Sequence, residues 1–395
     1  MRMMLTAPSS LRLTAALLLG CGVSCSSGPS GPPVGAGGDV GSGGVPSGGS
    51  SSGGVSAGGA DSGGTSAGGV TSGGAPSGGT SSGGLSSGGT GGGDEPAPTG
   101  APALLSEAGL YEADMVTLAP GVRPYTPGHE LWADDATKHR WIYLPEGTQI
   151  DTSDMDYWQY PAGTRLYKEF SQDGVRIETR FLERQENGAW WRVAYQWRED
   201  QLEADAVPDG VMNAAGTEHD IPSSEDCGTC HLRMPDKVLG FSAVQLAHES
   251  DDPEEWTLER LVSEGRLTDA PPEIQLPGDA TEQAALGYLH ANCGHCHNPR
   301  SSVSSRVAIG LWLETGLLGS VTETRTYTST VGKTIDLAEG AAPGATLIID
   351  PGSPDTSALF VRISSRGEEY SMPPLGTEVV DPDGAAAIEA WILGL

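Results

Sequence analysis

Along the chain the spacing of apolar positions changes twice. Residues 26–100 are almost entirely Gly, Ser, Ala, Thr and Pro, and 40–89 divide into ten pentads ending in Gly-Gly, such as Val55-Ser56-Ala57-Gly58-Gly59. A repeat without an apolar face has nothing to stack, so it predicts a flexible tether and not a solenoid. From 123 to 207 apolar and polar residues alternate. The runs 140–144, 164–170, 176–182 and 190–197 read as strands, with turns at Asp173-Gly174 and Asn187-Gly188. Asn-Gly between such runs is a strong hairpin signal, and an antiparallel β-sandwich is the expected packing.

After residue 220 the period becomes helical. Asp252-Pro253-Glu254-Glu255 predicts a helix start, Leu258, Leu261 and Val262 its apolar stripe, and Gly265 its end. Thr281 opens a second helix that runs through Ala285, Leu286 and Leu289 into Cys293. Residues 307–350 read as a small, partly β insertion. Asp381-Pro382 caps a last helix with Ala385, Ile388 and Trp391 on one face. The expected fold class is α+β: a sandwich over 104–215, then a mainly helical part divided into 216–280 and 281–395. The Trp and Tyr residues of the strand region read as core and cross-strand pairs, not as a carbohydrate platform. Asp151, Asp154 and Asp156 lack an EF-hand pattern and read as a solvated loop.

The chain has 22 basic and 52 acidic residues, a formal charge of −30. That argues against nucleic-acid binding, which needs a basic face, and against docking on anionic lipid through side chains. It would steer a positively charged partner toward the surface. Ahead of the tether, Arg2, Arg12 and the apolar run 13–19 precede Gly20-Cys21. This is a signal-peptide layout over 1–20, with an apolar stretch too short to span a bilayer. Leu18-Leu19-Gly20-Cys21 resembles a bacterial lipobox, so 21–103 is expected to be a tether anchored by lipid at Cys21. Cys25 is the competing site, and plain secretion the alternative. The expected location is periplasmic or at the cell surface, on the outer membrane.

The other four of the six cysteines form two copies of one signature: Cys227-Gly228-Thr229-Cys230-His231 and Cys293-Gly294-His295-Cys296-His297. Cys-x-x-Cys-His attaches a c-type haem, the thiols bonding two vinyl groups while the adjacent imidazole takes the iron. Cys-x-x-Cys alone also serves thiol redox chemistry and structural zinc. The trailing His, the duplication and the export signal favour two haem c groups, on Cys227 and Cys230 and on Cys293 and Cys296, with His231 and His297 as iron ligands.

The second signature is followed by Ser371-Met372-Pro373-Pro374-Leu375-Gly376 and then the last helix. That order is the layout of a small cytochrome c, with the Met372 sulfur opposite His297. For the first signature Met234 is too close, since three residues extend at most about 10 Å. His248 is the expected opposing ligand, His290 and His219 are competitors, and an open sixth position would allow small-ligand chemistry.

With both signatures in place, the chain resembles a family of exported bacterial dihaem c-type cytochromes with an N-terminal β domain. The resemblance is carried by Glu130-Leu131-Trp132-Ala133-Asp134-Asp135, Tyr160-Pro161-Ala162-Gly163-Thr164, Ile177-Glu178-Thr179-Arg180 and Pro222-Ser223-Ser224-Glu225-Asp226-Cys227. Val238-Leu239-Gly240-Phe241, Tyr288-Leu289-His290-Ala291-Asn292-Cys293, Pro351-Gly352-Ser353-Pro354 and Met372-Pro373-Pro374-Leu375 continue it. Ala133-Asp134-Asp135 departs from the pattern, where something closer to Ser-Asp-Gly is expected. The resemblance implies electron transfer outside the cytoplasm. Two other functions compete with a carrier: a haem enzyme (a peroxidase or small-molecule oxidase) with an open first haem, and a binding module built on the β domain.

Overall fold

The computed structural model describes residues 100–335 and 342–395. The expected signal segment, both candidate lipidation sites and the tether up to residue 99 lie outside the described residues.

Six strands, β1 (Val122–Pro124), β2 (Thr137–Tyr143), β3 (Arg165–Gln172), β4 (Val175–Arg184), β5 (Trp190–Trp197) and β6 (Ala204–Ala206), pair in sequence order as one antiparallel sheet. The four long strands fall on the four alternating runs. At the β3–β4 hairpin Asp173 and Gly174 both take positive φ, 51° and 79°. That backbone matches the strand twist and is tolerated by Asp and Gly.

The sheet is single, so the expected sandwich is replaced by a meander, although the α+β class stands. Alternation says that each face needs cover, but not what supplies it. Tyr167, Phe181, Val193 and Tyr195 of one face bury Leu105, Leu110 and Met115 from the segment before β1. Ile142, Leu166 and Trp190 of the other pack with Phe241, Leu246, Trp256, Leu258 and Leu261 from beyond the sheet. The buried Trp and Tyr rings are core, as expected. The sheet and the segment after the first signature therefore share a core.

The helices are α1 (Ser224–His231), α2 (Ala243–Leu246), α3 (Leu258–Ser263), α4 (Ala280–Asn292), α5 (Arg325–Thr330), α6 (Ala358–Ile363) and α7 (Pro382–Gly394). The expected start at Asp252 is displaced. Its carboxylate receives the Glu254 amide (2.9 Å) in a turn, and Thr257 caps α3 instead. Val262 is 42% exposed and leaves the stripe to Leu258 and Leu261. Asp279, not Thr281, caps α4 in a reciprocal box with Glu282. Residues 307–350 form no strand among the described residues, only α5, short 3-10 turns and isolated bridges such as Val331 with Ile349.

α7 begins as expected, Asp381 accepting from the amides of Asp383 and Gly384. Its Ile388, Trp391 and Ile392 pack with Ala285 and Leu289 of α4 and Leu359 and Ile363 of α6. Gly384 lies on the Tyr288 ring, where an added Cβ would come within 2.1 Å. The approach of α7 to α4 thus requires glycine at that point. No helix among the described residues is long and apolar enough to cross a membrane.

Candidate haem-attachment sites

The second signature grows out of the end of α4. Cys293 is its C-cap, and the amides of Cys293 and Gly294 both donate to Leu289 O at 3.0 Å. The next turn closes when His297 N donates to Cys293 O (2.9 Å). The chain then returns, Leu311 N donating to His297 O (2.7 Å). Gly294 has no room for a side chain, because a Cβ would meet His290 O at 2.6 Å.

This turn opens onto a cavity of about 820 Å³ lined by Cys293, Cys296 and His297 and, from the distant loop, by Met372, Pro373 and Pro374. Ile309, Leu311, Leu359 and Ile363 supply apolar wall. A volume of this size suits a cofactor-sized ligand. Met372 is held from both sides of its peptide unit: its N–H donates to Arg362 O (3.0 Å), and its carbonyl accepts from Arg366 (3.2 Å). Burial, with His295 and Arg362 adding repulsion, pushes His297 down to about 4. Its imidazole is therefore neutral at pH 7, the form that binds a metal.

The first signature lies within α1. Ser223 caps this helix in a reciprocal box with Asp226. His231 Nδ1–H donates to Lys237 O (2.5 Å), which leaves Nε2 as the free acceptor. A backbone carbonyl on one imidazole nitrogen is the usual way to orient the other toward a metal. Burial pushes His231 down to about 4 as well. Cys227 is pushed up to about 11 by burial, with Arg180, Glu178 and Arg192 as its charged neighbours. α1 therefore rests on the face of the sheet that carries those three side chains.

The two signatures touch. The ligand atoms of Cys230, His295 and Cys296 all lie within 4.8 Å of one another. Thr229 and Cys230 also line the cavity of the second signature. A hydrogen bond from Cys296 and another from His295 draw the Cys230 thiol down. His295, an interior position of the second signature, was not singled out from the sequence; a second His inside Cys-x-x-Cys-His is the only local signal for it.

The remaining histidines separate. His248 places Nε2 at 2.6 Å from Thr126 O and Nδ1 at 3.0 Å from Glu249 O, so the ring as it stands offers no nitrogen to a metal. His290 is buried, is not part of the cavity wall, and accepts the Leu313 amide at Nδ1 (3.0 Å) with its ring 4.2 Å from Trp312. His219 Nε2 meets Glu178 (2.8 Å), beside the Arg180 that faces Cys227. Met234 packs with Tyr157 and Trp312, and its sulfur accepts from Asn298 (3.7 Å). The acidic loop serves structure: Asp156 accepts the Thr315 amide (2.7 Å), and Asp154 pairs with Arg300.

His290 gives a pH test. Burial, with smaller repulsion from His129 and His295, pushes it down to about 3. The unfolded chain then binds a proton that the folded one refuses. Its contribution is complete above about pH 6.5 and is lost as the pH falls toward about 3, at up to roughly 1.4 kcal/mol per unit. In denaturant unfolding between pH 7 and 5, His290→Asn is expected to lose stability with a slope shallower by about one proton. Equal slopes would show that His290 is not held neutral.

Comparison with protein-family models, characterised proteins and solved structures finds no match for this chain.

Proposed function

We propose that this chain is an electron carrier of the cell envelope that bears two covalent haem c groups, one on Cys227 and Cys230 and one on Cys293 and Cys296. The observation that carries the reading is the cavity in which two thiols, the neutral His297 and Met372 face a common space. The donor set suits the group: thiols for covalent attachment, an imidazole and a thioether for iron. Haem, when bound, supplies reversible one-electron transfer.

The chain's own residues do the rest. Lys237 O orients His231, and the Met372 loop is tied to Arg362 and Arg366. Ile309, Leu359 and Ile363 exclude water from one wall. The Cys230–Cys296 contact supports a relay, since two haems attached there would stand close together. Export, lipid anchoring at Cys21 and a long tether complete the proposal, and the net charge of −30 suits cationic redox partners.

The same Cys230, His295 and Cys296 contact favours a second reading, a structural zinc held between the signatures. A pyridine haemochrome assay and metal analysis on protein matured with c-type haem machinery separates the two. Two covalent haems per chain are expected. Zinc with no covalent haem would replace the proposal by the second reading. Carbon monoxide binding to one reduced haem would move weight to a haem enzyme.

A further inference from the structure

Residues 130–136, between β1 and β2, form no strand, yet they touch three separate parts of the chain. Ala133 and Ala136 bury against Phe170 of β3, which seats the segment on the sheet. Between them Asp134 and Asp135 take positive φ, 46° and 62°, in a turn closed by Ala136 N–H donating to Ala133 O (3.0 Å). Two positive values in a row fit a type I′ turn, which Asp tolerates.

Toward α4 the contact is reciprocal. Trp132 N–H donates to Asn292 Oδ1 (2.7 Å), and Asn292 Nδ2 donates to Glu130 O (3.1 Å). Asn292 immediately precedes Cys293 and lines the cavity of the second signature. Toward the loop after Met372, Asp134 Oδ1 accepts from the amides of Glu378 (3.0 Å) and Val379 (2.9 Å). Trp132 Nε1 donates to Val379 O (2.9 Å). Among the described residues, the main chain of 373–380 makes no other hydrogen bond. The near end of this loop is held at Met372 by Arg362 and Arg366, and the far end by the segment before β2.

We propose that Asp134, with Trp132, is a positioning residue of the second haem: it fixes the far end of the Met372 loop against α4 and so holds the sulfur on the iron. This rests on the haem reading above. His297 issues from the end of α4 and Met372 from the loop, so one segment braces both ligand-bearing elements. A loop with two prolines and both ends fixed has few conformations. Freeing one end gives it many, and that entropy opposes the iron–sulfur bond. Asp134 suits the task because one carboxylate oxygen accepts from two successive amides while its backbone tolerates the left-handed region.

The test uses the full haem-loaded chain. Asp134→Gly keeps the turn and removes the acceptor. It is expected to retain two haems by pyridine haemochrome and to weaken the sulfur-to-iron charge-transfer absorption of the oxidised protein. The apparent carbon monoxide affinity of one reduced haem should rise roughly tenfold, because binding waits for the position that Met372 vacates. The midpoint potential of that haem should fall. Loss of an anion would by itself raise it, so the sign separates positioning from charge. Asp134→Asn, which keeps an acceptor oxygen, is expected to restore the absorption and the parent affinity. Asp135→Asn, at the exposed neighbour, should leave both unchanged. Trp132→Phe removes the Val379 bond alone and should move both readouts the same way by less; it decides the matter if Asp134→Gly does not fold. Two attached haems with parent absorption and carbon monoxide affinity in Asp134→Gly, or lowered stability without either change, would overturn the inference and leave the haem reading standing. Covalent haems whose absorption is unaltered in Met372→Ala would overturn it as well. A parent chain with no covalent haem would overturn the reading and the inference together.

Discussion

Replacing Met372 by Ala is expected to leave two haems attached and to lower one midpoint potential by on the order of 0.1–0.2 V, within the roughly 0.8 V that axial ligands span. The thioether is a soft, neutral donor that favours the reduced iron, so a Met/His pair holds the potential high. Met372 shares its cavity with His297, its N–H donates to Arg362 O, and its carbonyl accepts from the Arg366 guanidinium. Truncation therefore removes the sulfur without releasing the loop. The reduced variant should also bind carbon monoxide at that haem, because a ligand position has been opened. A redox titration of the variant beside the parent reads both effects. An unchanged potential would remove Met372 from the iron.

The largest effect on folding is expected at Glu178. Its carboxylate is fully buried and accepts from Arg180 (2.6 and 3.0 Å) while meeting His219 (2.8 Å). Burial opposes its charge, but Arg180 and His219 outweigh that and hold it below the usual carboxylate range. Glu178→Gln strips the anion from a face that also carries Arg180 and Arg192, so a loss of roughly 3–5 kcal/mol is expected in denaturant unfolding at pH 7. The pH dependence follows from the lowered value. The stabilisation is present above about pH 4.3, the ordinary value for Glu, and is lost as the pH falls through the folded value. The variant should therefore lose less stability than the parent below about pH 4.5. A loss under about 1 kcal/mol at pH 7 would show that the pair is not an essential counter-charge.

Both expectations turn on features that differ in how far they could be read from the chain. Met372 was legible as a candidate because it is a local pattern: Met-Pro-Pro before a capped helix. Glu178 was not. Its partner His219 is 41 residues away and Arg180 is two residues on along a strand, and nothing in an alternating run says which of its polar residues will be buried. The same limit accounts for His248, placed 17 residues after His231 by reach alone. Reach does not say which carbonyls the ring will meet, here those of Thr126 and Glu249.

Helix starts show the contrast at small scale. Asp381 caps α7 as expected, because the apolar stripe that follows it finds α4 to pack on. Asp252 has equally good local chemistry, yet the helix begins only at Leu258. There the core decides, since Trp256 and Leu258 must turn toward the sheet.

By itself the sequence determined the four long strands, the hairpin at Asp173-Gly174, the last helix and the two Cys-x-x-Cys-His signatures, because each depends on neighbours within about ten residues. Only the tertiary structure decided that the sheet is single, that α1 rests on the face carrying Arg180 and Arg192, and that Cys230 meets Cys296. Those are contacts between segments far apart in the chain. They depend on which apolar surface covers which, and local periodicity carries no record of that choice.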